Sequence, residues 1–539
     1  MKLCLVAINS KYVHMSPAVD SLHAYSSAAG IRTSVCTCTV NQPEDQILGR
    51  LYGQQADALF FSVYIWNCAA VYRLSRELKK LCPDLQIWFG GPEVSFRSRE
   101  LLRKMPWVRG VLRGEGEICF TGLARILIGE YGTGTEDRKG LSETAGITWR
   151  AASGEIFENA GRSPMDMNEL VFPYSGTEPD RNRIYYYESS RGCPFGCSYC
   201  LSSTDRDLRF KSVEKTKEEL LWFLENRVKQ VKFVDRTFNL PVSGERALEI
   251  WKFLKEHDNG VTNFHFEICA ELLTGRELEF LSTLRPGQVQ FEIGVQSVNP
   301  ATLRAIRRSR DENKLRETVG RLIAGKNIHI HLDLIAGLPY EDLRSFEISF
   351  DSVFSMEPLQ LQLGFLKVLK GTPMETFAGE YGFIYGTEAP FEIRSTPWMG
   401  FGDILELKQV EEMVEVYYNS HQFDRTVRKL LEDYALRTGC SAKPLPAYRL
   451  FRSLALFFSQ RGYDRADQNR MDRYRILYEF IGFLGFEQEI YVPLLLEDAL
   501  ARERLKHWPE WAGKRQIRCS FDYEHRDPLT GNAVRSDGN

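Results

Sequence analysis

The sequence predicts an α/β protein in three parts: an open, doubly wound parallel sheet, a partial barrel of six strand–helix units, and a helix-rich carboxy-terminal domain. Three observations lead there. Residues 1–130 alternate short apolar runs with helix-length segments. From 183 the alternation resumes with six further strand candidates. From about 376 it gives way to helical spacing rich in aromatics and arginine, as in "YRLFRSLALFFSQRGY".

In the first part, "KLCLVAIN", "TSVCTCTV", "DALFFSVYI", "LQIWFGG" and "WVRGVLRGEGE" each predict a strand ending in small or polar residues, and 67–81 has helical spacing. Near-continuous apolar strands joined by crossover helices imply a flavodoxin- or Rossmann-like sheet covered on both faces. Such sheets bind ligands beyond the carboxyl ends of their strands. Ser62, Gly90, Gly91, Gly114 and Glu115 fall at those ends. Glycines there let a large planar ligand approach the backbone.

This domain is expected over 1–135, followed by a connector over 136–182 in which "GITWRAASGEIFEN" forms a hairpin. The barrel, of TIM type, is expected over 183–375. Its strands are "IYYYESS", "VKFVD", "NFHFEICA", "VQFEIGVQS", "IHIHLDLIAG" and "LQLGFLKVL", separated by helices at 212–229, 243–257, 275–284, 300–324 and 342–354. A helical domain over 376–524 and a frayed polar tail over 525–539 complete the chain. In the helical domain Phe457, Phe458, Phe480, Phe483 and Phe486 are expected in the core. Arg449, Arg452 and Arg461 face either water or an anionic ligand.

The totals exclude several classes. A net charge of −3 over 539 residues gives no global bias toward nucleic acid. The longest apolar runs fall far short of a membrane span, and the amino terminus lacks a signal sequence, so a cytoplasmic protein is expected. Twelve cysteines scattered without a secretory signal are mostly small buried hydrophobes.

One group has ligand spacing. "RGCPFGCSYC" puts Cys193, Cys197 and Cys200 on one loop directly after the first barrel strand, where barrels place their chemistry. Thiolates suit zinc or iron–sulfur clusters. Three thiolates on a four-iron cubane leave one iron open, as a catalytic cluster requires and a structural one does not.

This triad resembles the signature of the radical S-adenosylmethionine (SAM) superfamily, and the resemblance extends over about 185–375. It implies a [4Fe-4S] cluster whose open iron chelates the amino and carboxylate groups of SAM, and an electron donor such as flavodoxin or ferredoxin. One electron then cleaves the sulfonium and releases a 5′-deoxyadenosyl radical. Tyr199 matches the aromatic position that contacts adenine. Glu267 in "FHFEICAELL" and Asp333 in "HLDLIAGLPYED" match positions that meet the SAM ribose or amino group. "EIGVQSVNPATLRAIRR" resembles the coproporphyrinogen-dehydrogenase branch and offers Gln296 and Arg308. Asp235 in "FVDRTFN" stands where the family binds the SAM amino group, although the usual Gly-Gly-Glu is absent.

The loops at Ser62, Gly90-Gly91 and Gly114-Glu115 resemble those of the cobalamin-binding domain of cobalamin-dependent radical SAM enzymes. The Asp-x-His-x-x-Gly motif of other cobalamin proteins is missing. His14 is the nearby loop imidazole, and the cobalt is expected to have no histidine beneath it. A methylthiotransferase would need three more converging cysteines, and none of the others converge.

The resemblance implies methyl transfer from methylcobalamin to an unactivated carbon. The alternatives are a rearrangement, ring contraction or redox reaction using cobalamin without methyl transfer, and a non-catalytic sensor or carrier. A small metabolite, a peptide, a lipid or RNA all remain open as substrate, as does the oligomeric state.

Overall fold

The structure, a computed structural model, describes residues 1–130, 137–240, 245–440, 443–502, 509–513, 524–526 and 533–535. These divide into two compact units. One comprises 1–266 with 367–380 and 385–392; the other comprises 267–366 with 381–384 and 393–539.

The first unit begins with β1 (Leu3–Asn9), α1 (Pro17–Ala28), β2 (Thr33–Thr39), α2 (Glu44–Tyr52), β3 (Ala58–Ser62), α3 (Cys68–Leu81) and β4 (Gln86–Gly90). Short helices α4 (Pro92–Ser95) and α5 (Ser98–Lys104) lead to β5 (Gly110–Leu112) and α6 (Glu117–Glu130). Beyond α7 (Arg138–Glu143), the hairpin expected around Ser-Gly forms as β6 (Ile147–Arg150) and β7 (Ile156–Glu158). It does not stand apart as a connector, because β6 pairs antiparallel with β5. The sheet therefore has seven strands in the order β2-β1-β3-β4-β5-β6-β7, the first five parallel.

Each strand sends alternate residues to opposite faces, and both faces are covered. Val6, Phe61 and Phe89 pack with Ile47, Val71, Leu74 and Leu102 from α2, α3 and α5. Leu5, Phe60 and Trp88 pack with Val19, Phe120 and Leu123 from α1 and α6. Two-sided burial is why these strands are apolar along their whole length.

The same unit contains β8 (Ile184–Tyr187), the two-residue strands β9 (Ser190–Arg191) and β10 (Arg209–Phe210), α8 (Val213–Glu225), β11 (Gln230–Phe233), α9 (Arg246–Glu256) and β12 (Asn263–Glu267), at whose last residue the division falls. Strand β11 lies between β8 and β12, parallel to both.

The second unit contains α10 (Gly275–Leu281), β13 (Val289–Gln296), α11 (Pro300–Ala305), α12 (Glu312–Ala324), β14 (His329–Ala336), α13 (Leu343–Phe354) and β15 (Gln360–Phe365). Strand β14 pairs parallel with β13 and β15. The single helix expected over 300–324 is two. Asn299 caps α11 through Ala301 N, and Asp311 caps α12 through Lys314 N, so the chain stops and restarts between them. Arg308 lies in that break rather than on a helical face.

After α14 (Pro373–Glu380) of the first unit come the short strands β16 (Ile384–Tyr385) and β17 (Ile393–Ser395), then α15 (Phe401–Val414), α16 (Asp424–Arg437), α17 (Ala447–Arg461), α18 (Arg470–Phe483) and α19 (Gln488–Leu500). Part of the expected tail, 527–532 and 536–539, lies outside the described residues. The pieces beside it, β18 (Glu524–Arg526) and β19 (Ala533–Arg535), pair antiparallel.

Phe457, Phe458 and Phe480 are buried as expected, but Phe486 is only half-buried and Phe483 is 53% exposed. Arg449 and Arg452 pair with Glu347 and Glu406 at 2.6 and 2.7 Å. Arg461 lies over the Phe457 ring, 5.5 Å from its centroid. These three arginines are engaged within the protein.

Truncating the two phenylalanines of α18 separates core from surface. Phe480→Ala should cost about 3–5 kcal/mol in denaturant unfolding followed by far-ultraviolet circular dichroism. Phe483→Ala, which removes a half-exposed ring 5.1 Å from that of Phe457, should cost less, about 1 kcal/mol.

Candidate functional site

Strand β8 runs into a small hairpin whose tip holds the three cysteines. The β9–β10 ladder pairs Arg191 with Arg209 and Ser190 with Phe210, closing the loop 192–208. Gly192 has φ +87°, and a Cβ there would stand 2.5 Å from the Asp207 carbonyl oxygen, so only glycine fits this entry. Inside the loop, Cys193 N donates to Asp205 O at 3.0 Å and Cys200 N to Cys197 O at 3.1 Å. Met374 N, from α14, donates to Ser198 O at 2.9 Å.

Cys193 and Cys197 are each 8% exposed, while Cys200 and Tyr199 are half-buried. Burial pushes the Cys193 thiol above its ordinary pKa, and the Cys200 and Cys197 thiols push the same way; hydrogen bonding from the Phe195 backbone and the Thr237 side chain opposes them. Cys197 and Cys200 thus lie within electrostatic reach of Cys193, and three cysteines on one loop fit an iron–sulfur centre. Among the described residues no group of three or more His, Cys, Asp or Glu side chains is arranged to hold a single metal ion.

Asp235 follows β11 and is fully buried. It accepts from Ser189 N at 2.8 Å, Ser189 Oγ at 2.5 Å and Ser190 Oγ at 2.8 Å. Both of its oxygens are therefore engaged in holding the strand that enters the cysteine loop.

At the carboxyl edge of the seven-stranded sheet, Ser62 ends β3 and Gly90 ends β4. Gly91 has φ +107°, and a Cβ on it would meet Val63 O at 2.5 Å. Above Gly114 lies open space. Asn67, which the sequence did not single out, organises this edge. Its side-chain amide donates to Ile8 O at 2.9 Å and Ser62 O at 3.0 Å, and its carbonyl accepts from Tyr64 N at 2.8 Å. Glu93, after Gly91 and Pro92, is buried and paired with Lys370.

Small residues at three successive strand ends, with open space beside Gly114, leave the backbone bare for a broad, flat group such as a corrin. Glu115, by contrast, is turned toward Arg209 at 2.6 Å. The His14 ring is engaged too, its Nδ1 lying 2.7 Å from Tyr186 Oη, and burial lowers its pKa.

In the second unit a different set of residues gathers on one face of β13–β15. Gln290, Glu292 and Gly294 stand opposite His329, His331 and Asp333, and the latter two stand opposite Gln360 and Gln362. The intervening residues, such as Phe291, Ile293, Leu332 and Leu334, are buried apolar side chains. The polar face is therefore a deliberate lining, with Gln290 Nε2 hydrogen-bonded to His331 Nε2 at 2.8 Å.

Asp333 lies close enough to Glu267, Glu292 and Arg308 for all three to influence its charge. Its pKa is held well above the carboxylate range, first by burial, then by Glu292 and Glu267, against the pull of Arg308. Gln296 closes β13 at φ +69°, where the register with β14 shifts. Arg308 Nη2 donates to Gly294 O at 2.6 Å, as does Arg310 Nη2 at 2.8 Å. Asp333 Oδ1 and Gln296 Oε1 are buried and accept no hydrogen bond among the described residues. Two orphaned acceptors beside a guanidinium fit a ligand that brings hydroxyl or ammonium donors together with a carboxylate, as SAM does.

Residues 187–353 match the radical SAM superfamily, and residues 3–124 match the B12 binding domain. The chain carries a radical SAM domain behind a B12-binding domain. Residues 379–536 match a family described as protein of unknown function, DUF4080.

Among curated relatives, the cobalamin-dependent radical SAM methyltransferase TokK of Streptomyces tokunonensis is 25% identical over 339 residues, 60% of this chain and 48% of TokK. The match thus spans about half of that relative's length. Among solved structures, OxsB, a cobalamin-dependent S-adenosylmethionine radical enzyme with aqua-cobalamin bound, superposes with TM-score 0.59 at 15% identity, covering 92% of this chain and 80% of its own. The radical SAM methyltransferase TsrM from Kitasatospora setae, with cobalamin and a [4Fe-4S] cluster bound, gives TM-score 0.56 at 15% identity, covering 72% and 81%. At these identities the two structures speak for the fold.

Within the radical SAM domain, Glu292 is the residue that sequence reasoning missed. Its signal was present in the strict alternation of "VQFEIGVQ" against "HIHLDLIA". Glu292→Gln should lower the pH at which Asp333 ionises, because it removes the larger of two like charges opposing that ionisation. Arg308→Ala should raise it. The protonated-carboxyl band in infrared difference spectra, assigned with Asp333→Asn, reads both shifts. An unchanged or raised midpoint in Glu292→Gln contradicts the assignment.

Proposed function

We propose that this chain is a cobalamin-dependent radical SAM methyltransferase acting on an unactivated carbon. The observation that carries the reading is the set of three cysteines, Cys193, Cys197 and Cys200, gathered on the one loop that the β9–β10 ladder closes after β8, in a chain that also has a B12-binding domain. The TokK relative, named as a cobalamin-dependent radical SAM methyltransferase, supports the same reaction class.

Cys193, Cys197 and Cys200 would hold three irons of a [4Fe-4S] cluster and leave the fourth to SAM. When bound, the cluster supplies the electron that cleaves the SAM sulfonium, and cobalamin carries the methyl group. The chain's own residues orient and shield. Glu267 and Asp333 would receive the ribose hydroxyls or the ammonium, Gln296 and Arg308 would fix the amino-acid end, and Tyr199 would lie against adenine. A protonated Asp333 donates as well as accepts, which suits a diol partner.

Ser62, Gly90, Gly91 and Gly114 would let the corrin approach the strand ends. Asp235 is assigned to the support of the cysteine loop, since Ser189 and Ser190 occupy its oxygens. Flavodoxin or ferredoxin would deliver the electron. No helix among the described residues is long and apolar enough to cross a membrane.

Anaerobically reconstituted protein with hydroxocobalamin, SAM and a reductant should release both 5′-deoxyadenosine and S-adenosylhomocysteine. Release of 5′-deoxyadenosine alone would exclude methyl transfer. Cys197→Ala should lose both products and the broad charge-transfer absorbance of the cluster.

A further inference from the structure

The Gly114–Glu117 loop of the B12-binding domain presents two carboxylates, and both are aimed at the base of the cysteine hairpin. All the residues concerned lie in the first unit. Arg191 and Arg209 are direct partners across the β9–β10 ladder, one at each end of the loop carrying the three cysteines. Like charges placed opposite one another on a ladder repel, and these two guanidinium groups are largely withdrawn from water, with side chains 14% and 15% exposed.

Asp205, inside the loop, pairs with Arg209 at 3.1 Å, and carboxylates from outside the hairpin supply the rest of what offsets that repulsion. Arg191 Nη2 and Nη1 reach the two oxygens of Glu117 at 2.5 and 3.2 Å. Its Nε and Nη2 reach the two oxygens of Glu188 at 2.9 Å each. Glu115 Oε1 stands 2.6 Å from Arg209 and 3.7 Å from Arg191, between the two cations. The two glutamates are held by neutral donors as well: Glu117 Oε1, which faces Arg191 Nη2, also accepts from Ser21 Oγ at 2.7 Å, and the second oxygen of Glu115 accepts from Met165 N at 2.9 Å.

Paired forks of this kind fix direction as well as distance. Glu117 is buried, so losing its partner would strand a charge away from water. The loop and the hairpin therefore keep their positions jointly. Gly114, at φ +74° under open space, is the point at which a ligand on the sheet edge would press on this loop.

We propose that Glu115 and Glu117 clasp Arg191 and Arg209 so that cobalamin binding on the amino-terminal sheet and cluster assembly on the cysteine loop are thermodynamically coupled. The four are positioning residues and touch neither cofactor. The inference rests on the function proposed above. By linkage, each cofactor alters the affinity of the other by the same factor.

The test uses the full chain and hydroxocobalamin as the probe, under anaerobic conditions. Its Kd is measured by equilibrium dialysis on cluster-free and cluster-loaded protein. In the parent the two values should differ by about fivefold or more. In Glu115→Gln/Glu117→Gln the ratio should fall to about one, with iron still loaded and cobalamin still bound. Arg191→Lys keeps the charge and loses the forks, so its ratio should fall between the two. Addition of hydroxocobalamin should also change the electron paramagnetic resonance spectrum of the reduced cluster in the parent but not in the double variant.

A ratio of one in the parent, or an undiminished ratio in the double variant, overturns the clasp while leaving the proposed function standing. A parent that loads iron but binds no cobalamin, or the reverse, overturns both. Should the double variant lose its circular dichroism, Glu115→Gln alone, at a partly exposed position, decides in the same way.

Discussion

Three cysteines are held on a single loop closed by a two-stranded ladder, and much of the first unit is arranged to keep them there. The backbone accepts this arrangement because Gly192 admits the tight entry, Asp205 and Asp207 close the exit, and α14 anchors Ser198. Beneath the loop, Asp235 holds the entering strand through two serines; beside it Arg191 forks onto Glu117 and Glu188, and Arg209 forms ion pairs with Glu115 and Asp205. None of these contacts is chemistry in itself. They make the geometry available to a metal that the unfolded chain could not gather.

The second unit answers a complementary demand. A closed barrel fills its interior with branched apolar side chains. Strands β13–β15 instead send Gln290, Glu292, His331 and Asp333 to one face and keep Phe291, Ile293 and Leu332 on the other. Burying acceptors such as Asp333 Oδ1 without a partner is unfavourable. The face gains from a polar ligand what it lacks by itself, and Arg308 and Arg310 converge on the Gly294 carbonyl to hold the bulge at its rim.

Most of this frame was legible from spacing alone. Apolar runs at the right intervals gave five parallel strands and six barrel strands, and a three-residue gap beside a two-residue gap pointed to the cysteines. The less legible features depend on long-range pairing. Nothing local says that β6 joins β5, since a hairpin reads the same free or docked. Arg308 read as a helical residue because the Asp311 cap, a short signal inside a helical-looking run, was outweighed by periodicity. The pairing of Glu115 with Arg191 and Arg209 was not legible, because those partners lie far along the chain. Phe483 has the spacing of a core residue, yet it is the last residue of α18, and its ring rests against Phe457 and Phe480 with about half of the residue exposed.

The proposed function requires that the three-cysteine centre leave one iron for SAM. Electron–nuclear double resonance on the reduced, reconstituted protein with SAM labelled at its amino nitrogen and carboxylate oxygens tests it most directly. The account predicts hyperfine coupling from both labels to the cluster, lost in Cys193→Ala. A four-iron cluster that shows no coupling to either label would contradict it.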